Sequence, residues 1–133
     1  MIDAKQMMRI PQDPATSGAI PILRSTNAPD GLVFTWSVWI NIDDLTYRQG
    51  EYRHIFHKGN DDINVTNPPI GMNQPNNAPG LYLAPNTNDL IVIMNTFSNP
   101  NEEIVINDIP LNKWLNVIIR VDEQHVMDVY ING

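Results

Sequence analysis

The chain has 133 residues, no cysteine and a formal net charge of −7. That length suits one domain around one core, and the missing cysteines exclude a disulfide framework and every thiolate metal site. Eight Lys and Arg against fifteen Asp and Glu, with no basic run, exclude the clustered positive charge that a nucleic-acid backbone demands.

No stretch approaches the roughly 20 apolar residues of a membrane-spanning helix. Residues 1–10 lack a long apolar run, so no cleaved signal peptide is expected. Residues 1–30 carry Pro11, Pro14, Pro21 and Pro29 among Ser, Thr, Asn and Gly, without apolar periodicity. They read as a Pro-rich arm, with a strand near residues 20–23 at a sheet edge as the alternative. From Leu32 the pattern changes. Phe34, Trp36, Val38, Ile40 and Ile42 alternate with Thr35, Ser37, Trp39 and Asn41, a strand with one apolar face. Residues 52–58 and 80–84 read as the next two strands. The continuous apolar runs at residues 90–94 and 104–106 predict strands buried on both faces. Residues 114–121 and 125–131 predict a hairpin turning at Asp122-Glu123-Gln124, with Met127, Val129 and Ile131 on one face and Val126, Asp128 and Tyr130 on the other. The segments between, chiefly residues 59–79 and 98–102, are dense in Asn, Pro and Gly and read as loops. One-sided strands without a credible long helix predict an all-β domain over residues 31–133, most simply a two-sheet sandwich.

Several segments carry a resemblance. Phe34-Thr35-Trp36-Ser37-Val38-Trp39-Ile40, Ile55-Phe56-His57-Lys58-Gly59, Trp114-Leu115-Asn116-Val117 and Asp128-Val129-Tyr130-Ile131-Asn132-Gly133 resemble, in order and spacing, strands of concanavalin A-like lectin/glucanase domains of the laminin-G-like branch. With Ala78-Pro79-Gly80-Leu81-Tyr82 and Ile109-Pro110-Leu111-Asn112-Lys113-Trp114, the text is similar to versions encoded by large DNA viruses of protists and algae. The resemblance implies an antiparallel jelly-roll sandwich with further strands beyond Gly133. It also implies a non-enzymatic structural or recognition module located in a virion, contacting other virion or capsid proteins; the alternatives are a glycan-binding lectin, with or without calcium, and, least favoured, a glucan hydrolase. An outermost strand at residues 125–131 would need its edge covered by the arm or by a neighbouring subunit.

Candidate chemistry is sparse. Glucanases of the resembled fold use a Glu-x-Asp-x-x-Glu strand, and no such motif occurs here. The pairs Asp43-Asp44, Glu102-Glu103 and Asp122-Glu123 are adjacent, so in a strand their carboxylates point to opposite faces. No Gly-x-Ser-x-Gly or phosphate loop occurs, and no enzyme activity is expected. Asn60, Asp61, Asp62 and Asn64 form an oxygen-rich cluster of the kind calcium prefers, with a metal-free polar loop as the favoured reading. His54 and His57 are three apart, which in a regular strand separates them onto opposite faces and excludes joint chelation. Trp36 belongs to the core, and Trp114 matches a family position that packs internally. Trp39 lies on the Thr35 and Ser37 face; packing against the other sheet is favoured, and contact with a sugar, shared with Tyr82, is the alternative. Asn64-Val65-Thr66 fits the N-glycosylation pattern.

Overall fold

The computed structural model describes Ser17 and residues 31–133 except Asp61. The arm expected over residues 1–30, Ser17 apart, and the cover it was to give the last strand lie outside the described residues. Seven strands follow in order among those described: β1 (Phe34–Asn41), β2 (Arg53–His57), β3 (Gly80–Leu83), β4 (Leu90–Met94), β5 (Glu102–Ile106), β6 (Trp114–Val121) and β7 (Met127–Ile131). They form two antiparallel sheets, β1-β6-β7 and β2-β3-β4-β5, packed face to face as a sandwich.

Alternation builds the interlayer core. β6 contributes Leu115, Val117 and Ile119 from one sheet, while Leu81, Leu83, Leu90 and Val92 come from the other. Phe34, Trp36, Val38 and Ile40 of β1 face the same interior, as do Met127, Val129 and Ile131 of β7. Trp36 stacks on Phe56 across the layers, with ring centroids 5.8 Å apart. Leu81, Val92 and Val117 have no exposed surface, and each such side chain contributes roughly 1.5–3 kcal/mol of burial.

The four-stranded sheet has a second buried face. Tyr82, Ala84, Ile91 and Ile93 point away from the sandwich and pack beneath Met72 and Tyr52. The loop between β2 and β3 is their cover, which is why β3 and β4 read as continuous apolar runs. The same expectation fails for β5. Ile104 and Ile106 are half-buried but Val105 is 46% exposed, because β5 is the outermost strand and the cover does not reach it.

Asparagines hold that cover in place. Asn73 N–H donates to the Tyr82 hydroxyl (3.1 Å), which donates to Asn77 Oδ1; Asn77 Nδ2 donates back to the Asn73 carbonyl (2.9 Å). Asn95 Nδ2 donates to the Pro75 carbonyl (2.7 Å). At the opposite end Arg53, 7% exposed, donates to the carbonyls of Leu45 (2.7 Å), Thr87 (2.9 Å) and Ala84, tying the loop after β1 to the β3–β4 turn. Among the described residues, the buried side-chain atoms without a partner are Arg53 Nε and Asn73 Oδ1.

Candidate ligand-binding face

The outer face of β1-β6-β7 follows from its register. Asn41 lies opposite Trp114, Trp39 opposite Asn116, Ser37 opposite Ile118 and Thr35 opposite Arg120. β7 extends the rows, with Tyr130 opposite Ile118 and Asp128 opposite Arg120. All these residues sit on the side away from the core, because side chains alternate along each strand. Trp39 and Trp114 are diagonal neighbours on adjacent strands, a spacing of about 7–8 Å that aromatic side chains can bridge.

Exposure marks this face. Trp39 is 63% exposed, Trp114 66% and Tyr130 40%. Neither expectation of internal packing holds for Trp39 and Trp114: no described residue covers this side of the sheet, so the polar side of β1 faces solvent. Around the rings the face is polar and braced. Asn116 Nδ2 donates to Ser37 Oγ (3.1 Å) and to the Val38 carbonyl (3.2 Å), and Asn132 Oδ1 accepts from Asn116 N–H (3.0 Å). Arg120 and Asp128 approach to 4.0 Å, and the Tyr130 hydroxyl reaches Asp128 Oδ2 at 3.4 Å. The result is a sheet-mounted aromatic surface rimmed by amides and one ion pair.

Tyr82 belongs elsewhere. It is fully buried under the β2–β3 loop with its hydroxyl used twice, so it is a cover anchor and not a surface contact. In the oxygen-rich cluster, Asn60 Oδ1 accepts from Asn76 N–H (3.1 Å), while its Nδ2 donates to Asp62 Oδ2 (3.0 Å) and to the Gln74 carbonyl (2.7 Å). Asn64 Oδ1 accepts from the N–H groups of Thr66 (3.3 Å) and Asn67 (3.1 Å). These amide oxygens brace the loop, and Asp61 lies outside the described residues. Asn64 of the glycosylation pattern also donates from Nδ2 to the Asn67 carbonyl.

Loop acids occupy structural roles. Asp44 Oδ1 accepts from Thr46 N–H and Oγ1–H, both at 2.7 Å, and these bonds hold its carboxyl below the usual range. Asp122 Oδ1 accepts from Gln124 and Val126 N–H in the β6–β7 turn (2.9 and 3.0 Å). Glu102 and Glu103 project from the outer strand β5.

The histidines depart from expectation. His54 Nε2 and His57 Nδ1 are 2.7 Å apart, so the two rings share one face. The cause is a bulge: His54 pairs with Tyr82 and Phe56 with Leu81, which leaves Ile55 as an extra residue and restores the face at His57, opposite Gly80. His54 also leans on the Tyr82 ring, with centroids 5.6 Å apart. Burial first, and the neighbouring His57 second, pull the His54 pKa down to about 4.

No protein-family model matches the chain, and neither does any curated protein or solved structure.

Proposed function

We propose that the chain is a non-enzymatic recognition module of concanavalin A-like, jelly-roll kind that binds carbohydrate on the outer face of β1-β6-β7. The supporting observation is the diagonal pair Trp39 and Trp114, each about two-thirds exposed on rigid strands. A solvent-facing indole presents a flat apolar surface with a polar tip, which suits the apolar face of a pyranose ring. Asn41, opposite Trp114, then supplies hydrogen bonds to hydroxyls of that ring, and the Arg120–Asp128 pair, about 13 Å along the strands from the Trp39 row, to those of a further sugar unit.

A glycan array probed with the whole chain, with calcium and with chelator, tests this. Binding is expected to fall about tenfold or more for Trp39→Ala and for Trp114→Ala, the loss typical of a central aromatic contact. Absence of any bound glycan, or binding by both variants undiminished from that of the wild-type chain, overturns the reading. Unchanged binding in chelator removes calcium from it.

A second reading, a structural component of a virion, is favoured by the same patch, because clustered exposed aromatics also mark contacts with another protein. It predicts that purified particles contain the chain. Particles free of it by mass spectrometry would dismiss that reading.

A further inference from the structure

On the other sheet, and independent of the tryptophan face, we infer that His54 and His57 form a binding site for a divalent transition-metal ion of tetragonal preference, Cu²⁺ or Ni²⁺. The argument starts from proton positions. His57 Nε2 lies 2.8 Å from the Asn60 carbonyl oxygen, which can only accept, so this nitrogen carries the hydrogen. In the neutral ring Nδ1 then holds the lone pair, and it points at His54 Nε2 across 2.7 Å. A backbone carbonyl that receives the remote N–H of a histidine is the outer contact that orients metal-binding imidazoles.

The bite of the pair selects the ion. At metal–nitrogen distances of about 2.0–2.1 Å, a right-angle bite needs about 2.9 Å between nitrogens and a tetrahedral one about 3.4 Å. The observed 2.7 Å is a small opening short of the former and a large one short of the latter. Imidazole nitrogens at right angles suit Cu²⁺ and Ni²⁺ better than tetrahedral Zn²⁺. Binding requires His54 to move its hydrogen from Nε2 to Nδ1, after which both facing nitrogens donate lone pairs. His57 keeps its Nε2 hydrogen, so no net proton is released.

One of the two rings borders open space. His54 lines a cleft of about 310 Å³ that also carries Asp44 and Arg48, the latter paired to Glu51 at 2.7 Å. Among the described residues no group of three or more His, Asp or Glu could hold a metal ion, so of these residues the two histidines supply two nitrogens and water completes the coordination.

The test titrates the whole chain with Cu²⁺ and with Ni²⁺, by calorimetry and by electron paramagnetic resonance of the Cu²⁺ form. One equivalent should bind with two imidazole nitrogens in the spectrum, and Zn²⁺ should bind more weakly than Cu²⁺. His54→Gln and His57→Gln should each weaken Cu²⁺ binding about tenfold or more, while His125→Gln should leave it unchanged. If His54→Gln does not fold, His57→Gln and the wild-type spectrum still decide. No binding by the wild-type chain, a spectrum with fewer than two nitrogens, or undiminished binding by His57→Gln overturns the proposal.

Discussion

The pairing of two imidazoles has a consequence for stability that depends on pH. His54 is held near pKa 4 in the fold, chiefly by burial, against about 6.5 in an unfolded chain. The folded state therefore binds fewer protons than the unfolded state between these values. By linkage, stability contributed by neutral His54 is fully present above about pH 6.5 and is lost as pH falls through the window toward 4. The exposed carboxylates of Asp44 and Asp89, both lowered by hydrogen bonds from nearby Thr residues, lose their contribution only at lower pH. Urea unfolding in chelator across pH 7 to 4.5 should show falling stability for the wild-type chain and a flatter profile for His54→Gln. An identical slope in the two proteins would rule out His54 as the source.

At the scale of elements, the loop between β2 and β3 depends on a backbone-to-backbone approach. Gly71 has φ +87°, and a Cβ there would lie 2.0 Å from the Tyr52 carbonyl oxygen. Its N–H donates to the Asn64 carbonyl at 2.7 Å, so the strand-like crossing cannot simply swing away. Gly50 has a similar φ of +90° but nothing within 4 Å of the added carbon. Gly71→Ala should therefore cost about 2–4 kcal/mol, backbone strain plus overpacking, and Gly50→Ala about 1 kcal/mol. Denaturant midpoints that fall equally for the two variants would contradict this account. These elements also show what a sequence can and cannot say. β1, β6 and β7 were legible because alternation over five to eight residues names the inner face directly. Which layer, if any, covers the other face depends on partners distant in the chain, so the exposure of Trp39 and Trp114 was not legible. Nor was the bulge at Ile55: parity along β2 is decided by its pairing with β3, and His54 and His57 were wrongly separated for that reason. The asparagine-rich loop pointed to oxygen atoms but not to their use, because Asn60 Oδ1 and Asn95 Oδ1 accept from the N–H groups of Asn76 and Asn77, on segments that only the fold brings near.

At the scale of the whole molecule, the described residues form three layers over part of their area: a three-stranded sheet, a four-stranded sheet and the loop cover on the latter's outer face. The layers differ in what holds them. The two sheets share a continuous apolar core with fully buried Leu81, Leu90, Val92 and Val117, whereas the cover combines a few apolar contacts with a network of amide hydrogen bonds. A unit with fewer buried apolar contacts opens at lower free energy than the core it rests on. The cover should then lift without melting the sandwich. Backbone amides tied through the cover, such as Asn64 and Gln74, should exchange with solvent sooner than those of Val92 in β4 or Val117 in β6, although all are hydrogen-bonded or in ladders. Within the sheets, the central strands β3, β4 and β6 should exchange most slowly and the outer strands β5 and β7 faster, since outer strands pair on one side. Native-state hydrogen exchange followed residue by residue measures both orders. Slow exchange shared equally by the cover and the central strands would mean that the loop and the sandwich unfold as one cooperative unit, and that the amide network binds the cover as firmly as the apolar core binds the sheets.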